Sequence, residues 1–362
     1  MVINPQRFIE EKTMLGERGI DVSAERLVIS DRSHIITPGH IALDTAREEQ
    51  LGDDAIGTTK RGIGPAYTDK VLRKGLQAGQ MLDEEAFAEA VYQHIQEVNT
   101  TLQSQFPSVA DKLKLDANEV ASLYVDYARQ IAPHIVNTTP IIHHALEADK
   151  GMLCEGAQGT LLDIDAGHFP FVTSSSPAAG GAMTGIGFGP TKVNRVVGVT
   201  KAFSTRVGSG PMPTELHDSI GDRLRGTGEN PWDEFGTTTG RPRRCGWFDG
   251  VILKYAARVN GFTELVLTKL DILSGFESLK IAVGYEIDGK RTEDLPSSVA
   301  DMERATPIYE TLPGWSEDIM DCREWDDLPA AAQNYVQFIA DMIGVPISFI
   351  SVGPERSQII LM

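Results

Sequence analysis

Between Gly236 and Gly246 the chain reads GTTTGRPRRCG, which packs three threonine hydroxyls, three glycines and three arginines into one short segment. Hydroxyls and bare backbone N–H groups around a glycine form a concavity suited to an anion. The guanidinium groups of Arg241, Arg243 and Arg244 add bidentate, charge-assisted hydrogen bonds to a carboxylate or phosphate. Asp249 then stands where it can cap a helix with the apolar stripe Val251, Ile252, Tyr255, Ala256 and Val259, ended by Asn260-Gly261. The positive end of that helix dipole would lie close behind the arginines. A basic surface turn is the alternative, but such turns rarely combine hydroxyl, glycine and arginine so densely. The expected ligand is an anionic small molecule.

Three further segments carry types that could do chemistry. Gly57 to Pro65 (GTTKRGIGP) has the same composition and could cradle a phosphate, although no Gly-Lys-Ser/Thr follows and the Walker spacing is absent. Arg73 and Lys74 lie just beyond it and, on their own, read more readily as solvated charges. Thr268-Lys269-Leu270-Asp271 follows the apolar run ELVL. A carboxylate at a strand end can accept from the N1–H and 2-amino groups of guanine, a pair that adenine lacks, so Asp271 could select the base. The Lys269 stem could cover the face of that base. Gln158, in the turn Gly156-Ala157-Gln158-Gly159, offers both a donor and an acceptor to a purine edge, or is simply a polar turn residue. No histidine stands at metal-binding spacing, and the adjacent His143 and His144 project from different sides of a helix.

These segments need elements to position them. Asn4-Pro5 starts a helix that Gly19 stops, and Arg26–Ser30 is a short buried strand. A helical stretch covers Ile41 to Gln50, and Leu51 to Gly75 reads as a glycine-rich, basic loop. Two core-facing stripes at helical spacing follow: Phe87, Ala90, Val91, Ile95, Val98, Leu102, and then Val120, Leu123, Tyr124, Tyr127, Ile131. From Gly151 onward, short apolar strands end in glycine loops: MLCE before GAQG, RVVGVT before KAFSTRVGSGP, ELVLT before KLD, and PISFIS before VGPER. Open α/β sheets keep their ligands at such carboxyl ends. Asp288-Gly289 is placed as a hairpin turn. The fold class is therefore α/β, a large mainly parallel sheet with flanking helices and a helical excursion at about 80–150, and residues 1–362 are expected to form a single domain.

Composition narrows the function. A net charge of −18 excludes a general nucleic-acid-binding surface, because phosphate backbones need a basic face. The three scattered cysteines, Cys154, Cys245 and Cys322, form no disulfide framework and suit a reducing compartment. No apolar run is long enough for a membrane span, and the first residues have no signal-peptide pattern, so a cytoplasmic location is expected.

Taken in order, GTTKRGIGPAY, EGAQGTLLDID, FVTSS, STRVGSGPMPTE, EFGTTTGRPRRCGW, LTKLDIL, PIYETLPGW and ISVGPER closely resemble the adenylosuccinate synthetase family from end to end of the chain. The resemblance implies a homodimeric ligase of P-loop-NTPase-like architecture in the route from IMP to AMP. GTP phosphorylates the 6-oxygen of IMP, L-aspartate displaces that phosphate, and Mg2+ sits on the GTP phosphates. It further implies that Thr59 and Thr173 bind the IMP phosphate, that Gln158 assists at the hypoxanthine, and that Arg73 reaches the partner's IMP site. Thr237, Thr238, Thr239, Gly240, Arg241, Pro242 and Arg243 would form the aspartate loop, with Arg241 also serving IMP and Arg243 also serving GTP. Lys269, Leu270 and Asp271 would bind guanine, closed by Ser351, Val352 and Gly353. Pro242 replaces a family arginine, a harmless variation.

The family's GDEGKGK loop, whose aspartate deprotonates IMP and holds Mg2+, and its GHT segment, whose histidine is the acid, do not occur in these residues. The expectation is that Met1 is an internal methionine of a longer synthetase, that the catalytic and metal-binding residues lie upstream, and that the chain alone is inactive. Loss of that segment would leave an open sheet edge and exposed apolar surface. The alternatives are an inactive nucleotide-binding or dimerising subunit, and a phage-type relative acting on a guanine-type nucleotide.

Overall fold

The computed structural model describes residues 1–52, 58–236 and 240–362. They gather into two compact units. The first comprises Met1–Glu155 with Thr173–Ser175 and Ala182–Phe188; the second comprises Gly156–Val172, Ser176–Gly181 and Gly189–Met362.

In the first unit, β1 (Val2–Ile3) pairs in parallel with β3 (His34–Ile35), and β2 (Ile29–Ser30) with β4 (Ile135–Val136). Strand β2 is thus shorter than the expected Arg26–Ser30, because its partner offers only two residues. Helices supply the bulk: α1 (Pro5–Glu17), α2 (Pro38–Leu51), α3 (Ile63–Val71), α4 (Glu84–Gln105), α5 (Pro107–Leu113), α6 (Ala117–Ile131) and α7 (Thr138–Glu147). Asn4, Asp83 and Asp116 cap α1, α4 and α6 through their side chains, which accept the otherwise orphaned first-turn N–H groups. The stripes of α4 and α6 face each other around Phe87, Val91, Ile95, Tyr124 and Ile131, all buried. Leu123 is the exception in its stripe and lies exposed.

The expected loop at 51–75 contains α3, which composition concealed. Its N-cap is Gly62 at φ 74°, where a Cβ would come within 2.8 Å of the Ile41 nitrogen. No side-chain cap announces this helix. The turn needs both a left-handed residue and the missing side chain.

In the second unit, β5 (Val197–Lys201), β9 (Glu264–Thr268) and β13 (Ile347–Ser351) run parallel, and β14 (Ile359–Leu361) closes the order β14-β13-β9-β5. Leu265 and Leu267 of β9 are fully buried, as is usual for a central parallel strand. Burial of each such side chain stabilises the fold by roughly 2 kcal/mol. The same unit also holds α9 (Ser219–Arg225), α10 (Gly250–Asn260), α11 (Val299–Arg304) and α12 (Ala330–Ile343), while α8 (Ala179–Ile186) precedes β5 in the chain. From α12, Tyr335, Val336 and Ile339 enter the core. A second sheet joins β10 (Ser278–Ile287) to β11 (Lys290–Thr292), β12 (Thr306–Pro313) and β8 (Phe248–Asp249). Asp288 and Gly289, at φ 51° and 76°, make the expected hairpin turn between β10 and β11.

One strand expectation fails. Met152–Glu155 forms no strand, and Leu153 is 91% exposed. A strand exists only as half of a ladder, and among the described residues nothing pairs with this segment. Among the described residues β5 is the outer strand of its sheet, with Val197 and Val199 exposed at 43% and 73%.

Candidate functional site

The arginine loop is a hairpin standing on β7 (Arg244–Gly246), which pairs antiparallel with β6 (Ser204–Arg206). The Arg243 N–H donates to the Glu234 carbonyl at 2.8 Å, and Phe235 pairs with Pro242. The Gly236 N–H donates to the Arg241 carbonyl at 2.8 Å, and the Gly240 N–H to that of Gly236 at 2.7 Å. Gly240 sits at φ 62°. Thr237, Thr238 and Thr239 lie outside the described residues. Arg241 and Pro242 are exposed at the end of this stem.

The three arginines are not equivalent. Arg244 grips the Glu215 carboxylate and donates to the Gly210 carbonyl at 2.7 Å, so it holds the base of the loop rather than facing a ligand. Arg243 donates to Glu234, whose side chain is 1% exposed. The same carboxylate accepts from Lys201 of β5 at 2.7 Å and from Lys269, just past β9. Burial pushes Glu234 up, but hydrogen bonds from Lys201 and Lys269 outweigh it and hold the carboxyl below its ordinary range. Burial in turn lowers Lys201, against the raising effect of Glu234. Spacing alone does not mark Glu234 or Lys201, because Lys201 and Lys269 lie more than thirty residues from Glu234 along the chain.

The guanine-side candidates come together at adjacent strand ends. Strands β9 and β13 pair in parallel, and the Leu270 N–H donates to the Ser351 carbonyl at 3.3 Å. That pairing sets Lys269–Asp271 beside Ser351–Gly353. Leu270, Val352 and Gly353 are buried, and the Ser351 hydroxyl donates to the Gly353 carbonyl at 2.9 Å. Lys269, at φ 62°, donates to the Trp232 carbonyl at 2.7 Å. Asp271 opens into a cleft of about 400 Å³ with Trp232, Ser274, Ser316, Asp318 and Pro354 on its walls. Burial raises the Asp271 carboxyl, its backbone hydrogen bonds and Lys269 oppose this, and Asp318 adds to the rise. Trp232 and Asp318 escaped the sequence reading because neither belongs to a distinctive string.

In the first unit, two acids of α2 organise the segment after residue 57. Asp44 accepts from the Thr58 hydroxyl at 3.1 Å and from the Gly62 N–H at 2.9 Å, and Glu48 from the Thr58 N–H at 3.2 Å. The amides expected to cradle a phosphate are partly turned to these carboxylates, which leaves Thr59, Lys60 and Arg61 exposed. Arg73 follows α3 at φ 62°, exposed beside Val71 and Leu72, which are 77% and 59% exposed. Thr173 belongs to this unit and is half-buried. Gln158 belongs to the second unit, exposed at φ 74° on a turn braced by Asp163 and Asn260.

Tertiary packing also builds a histidine cluster that spacing had not suggested. His40, Asp69 and His94 bring their ligand atoms within 4.8 Å of one another. The Thr37 N–H donates to His40 Nδ1 at 2.9 Å, so the ring proton is on Nε2, 3.2 Å from Asp69. Burial, and then His40, push His94 down to about 3, so its ring is neutral. Two imidazoles already committed to hydrogen bonds do not fit Mg2+, which takes hard oxygen donors. This cluster braces α2, α3 and α4.

Fold and site thus define an α/β protein with an arginine-rich loop and a base-sized cleft at the carboxyl ends of parallel strands. The family model described as adenylosuccinate synthetase matches residues 1–360. The adenylosuccinate synthetase of Streptococcus gordonii is 47% identical over 358 residues, covering 99% of this chain and 81% of that one. That of Geobacillus sp. (strain WCH70) is 48% identical with the same coverage. The chain belongs to the adenylosuccinate synthetase family. Among solved structures, the fully ligated synthetase of Plasmodium falciparum superposes with a TM-score of 0.91 at 36% identity, covering 100% of this chain and 83% of that one. The expected P-loop-NTPase-like α/β architecture is therefore present. The cyanophage S-2L succinoaminodeoxyadenylate synthetase, bound to dGMP and dATP, shares the fold at a TM-score of 0.54 and 18% identity, covering 99% of this chain and 74% of that one. No helix among the described residues is long and apolar enough to cross a membrane.

Proposed function

We propose that residues 1–362 are one synthetase domain that ligates IMP and L-aspartate into adenylosuccinate at the expense of GTP. The observation that carries this reading is the cleft at the ends of β9 and β13, where a half-buried Asp271 faces a space large enough for a nucleobase. Asp271 accepts from the N1–H and 2-amino groups of guanine, Lys269 and Leu270 frame the base, and Ser351–Gly353 close on it. Arg243 reaches from the loop toward the nucleotide, and the Thr237–Arg243 segment takes the carboxylates of aspartate. Thr59 and Thr173 hold the IMP phosphate, Gln158 reads the hypoxanthine, and Arg241 contacts IMP.

The order of events follows from the chemistry. An amide-like 6-oxygen leaves poorly until it is phosphorylated; the aspartate amine then attacks the carbon, and inorganic phosphate departs. The arginines stabilise charge as it moves. Mg2+ is the family's metal on the GTP phosphates, and among the described residues the His40–Asp69–His94 cluster does not suit it. The base and acid that the family resemblance requires have no matching strings in these residues. Arg73, exposed beside apolar Val71 and Leu72, supports a homodimer in which it enters the partner's IMP site.

The test is nucleotide selectivity. By calorimetry the chain should bind GDP and not ADP, and equal affinity for the two would sink the guanine assignment.

A further inference from the structure

Glu234 opens the string EFGTTTGRPRRCGW, but no ligand role is assigned to it, and its side chain gathers three cations. Its carboxylate is 1% exposed and collects Lys201 at 2.7 Å, Arg243 at 2.5 Å, and Lys269. These cations come from separate places: the end of β5, the stem of the arginine loop, and the residue after β9. The cluster carries two more positive charges than negative ones. Each cation keeps about a quarter of its side chain exposed, at 27%, 25% and 23%, while the carboxylate beneath is covered. Backbone geometry adds a second tie, because the Glu234 carbonyl accepts the Arg243 N–H at 2.8 Å across the loop stem.

A buried carboxylate with a single cationic partner is a structural pair. One with three partners, from the loop and from both flanking strand ends, sets the spacing of those cations relative to each other. Lys and Arg side chains otherwise sample many rotamers, and holding them in advance lowers the entropy lost when a ligand binds. Resting on the reading of Lys269–Asp271 as the guanine side, we infer that Glu234 is a positioning residue that presents Lys201, Arg243 and Lys269 as one preformed site for a ligand oxyanion. That oxyanion is a phosphoryl oxygen of the guanine nucleotide or a carboxylate of aspartate.

The opposite role makes the opposite prediction. If Glu234 merely offset positive charge, Glu234→Gln would strengthen anion binding, since two unbalanced charges would become three. If it positions the cations, the same change weakens anion binding and spares a neutral ligand. The experiment is calorimetric titration of the full chain and of E234Q with GDP, with L-aspartate and with guanosine at one ionic strength. The expected result is a loss of about tenfold for GDP, for aspartate or for both, with guanosine changed less than threefold. The weakened arm identifies the source of the oxyanion. Unchanged or tighter binding of both anions overturns the proposal while leaving the guanine reading intact. Failure of the unsubstituted chain to bind GDP overturns the reading and the proposal together. If E234Q loses its far-ultraviolet circular dichroism, E234D carries the test: the charge stays and the reach shortens. A loss of at least threefold for an anion with guanosine unchanged supports positioning, and wild-type affinity for both anions overturns it.

Discussion

Replacing Asp271 with asparagine removes an acceptor oxygen from the guanine cleft and puts a donor in its place. The carboxylate is partly desolvated, and burial is the largest effect on its acidity. Hydrogen bonds to a charged group in such a place contribute about 1.5–3 kcal/mol each. Guanine offers two donors to it, but the asparagine oxygen can keep one of them, so the net loss is about 3 kcal/mol, or roughly 100-fold in GDP affinity. Inosine diphosphate lacks the 2-amino group and provides the control. In the unsubstituted chain GDP should bind about tenfold or more better than inosine diphosphate, one charged hydrogen bond's worth. In D271N that gap should close to within about threefold, which is the coupling a double-mutant cycle isolates. Calorimetry with both nucleotides reads all four affinities. If the gap survives the substitution, Asp271 does not read the 2-amino group and the assignment is wrong. Acidity adds a second signature. Because the carboxyl is raised above its ordinary 3.8, it gains a proton on acidification earlier than an exposed aspartate. GDP affinity should therefore be full at neutral pH and decline on acidification while the pH is still above 3.8. The D271N variant should lack that decline.

Other outcomes follow from the same structure. Asp249, which caps α10 and accepts from Tyr285 at 2.6 Å, is pushed by burial from 3.8 up to about 6. Between those values the folded chain holds a proton that the unfolded chain has lost, so stability falls as pH rises through the window and levels off above it. The full effect is roughly 3 kcal/mol, and urea unfolding of D249N should lose that slope relative to the parent; a parallel pH profile would show that Asp249 is already ionised. Arg73→Glu should shift sedimentation from dimer toward monomer, and an unchanged distribution would place the interface elsewhere.

Local chemistry made much of this legible in advance. Asn4-Pro5, Asp249 and Asp288-Gly289 act through their own backbone neighbours, so the helix starts and the hairpin could be read directly. The stripes of α4 and α6 were visible because helical period is a property of the chain alone. Strands β9 and β13 could be found as apolar runs, and the residues after them named as ligand candidates. The family strings then attached substrates to those residues.

What the chain could not reveal by itself depends on partners far away in the sequence. Whether an apolar run becomes a strand depends on a ladder, so Met152–Glu155 stayed coil while ELVLT did not. Helix α3 was hidden because Gly62 caps it by conformation and by contact with α2, neither of which composition encodes. Arg243 and Arg244 are near-identical in sequence, and only tertiary contacts separate the one held by Glu234 from the one held by Glu215. The cleft beside Asp271 and the gathering of three cations on Glu234 exist only once β5, β9 and the loop stem converge. Residue types determined which chemistry was available, and packing decided which charges meet, because electrostatic attraction acts through space and falls with distance and exposure.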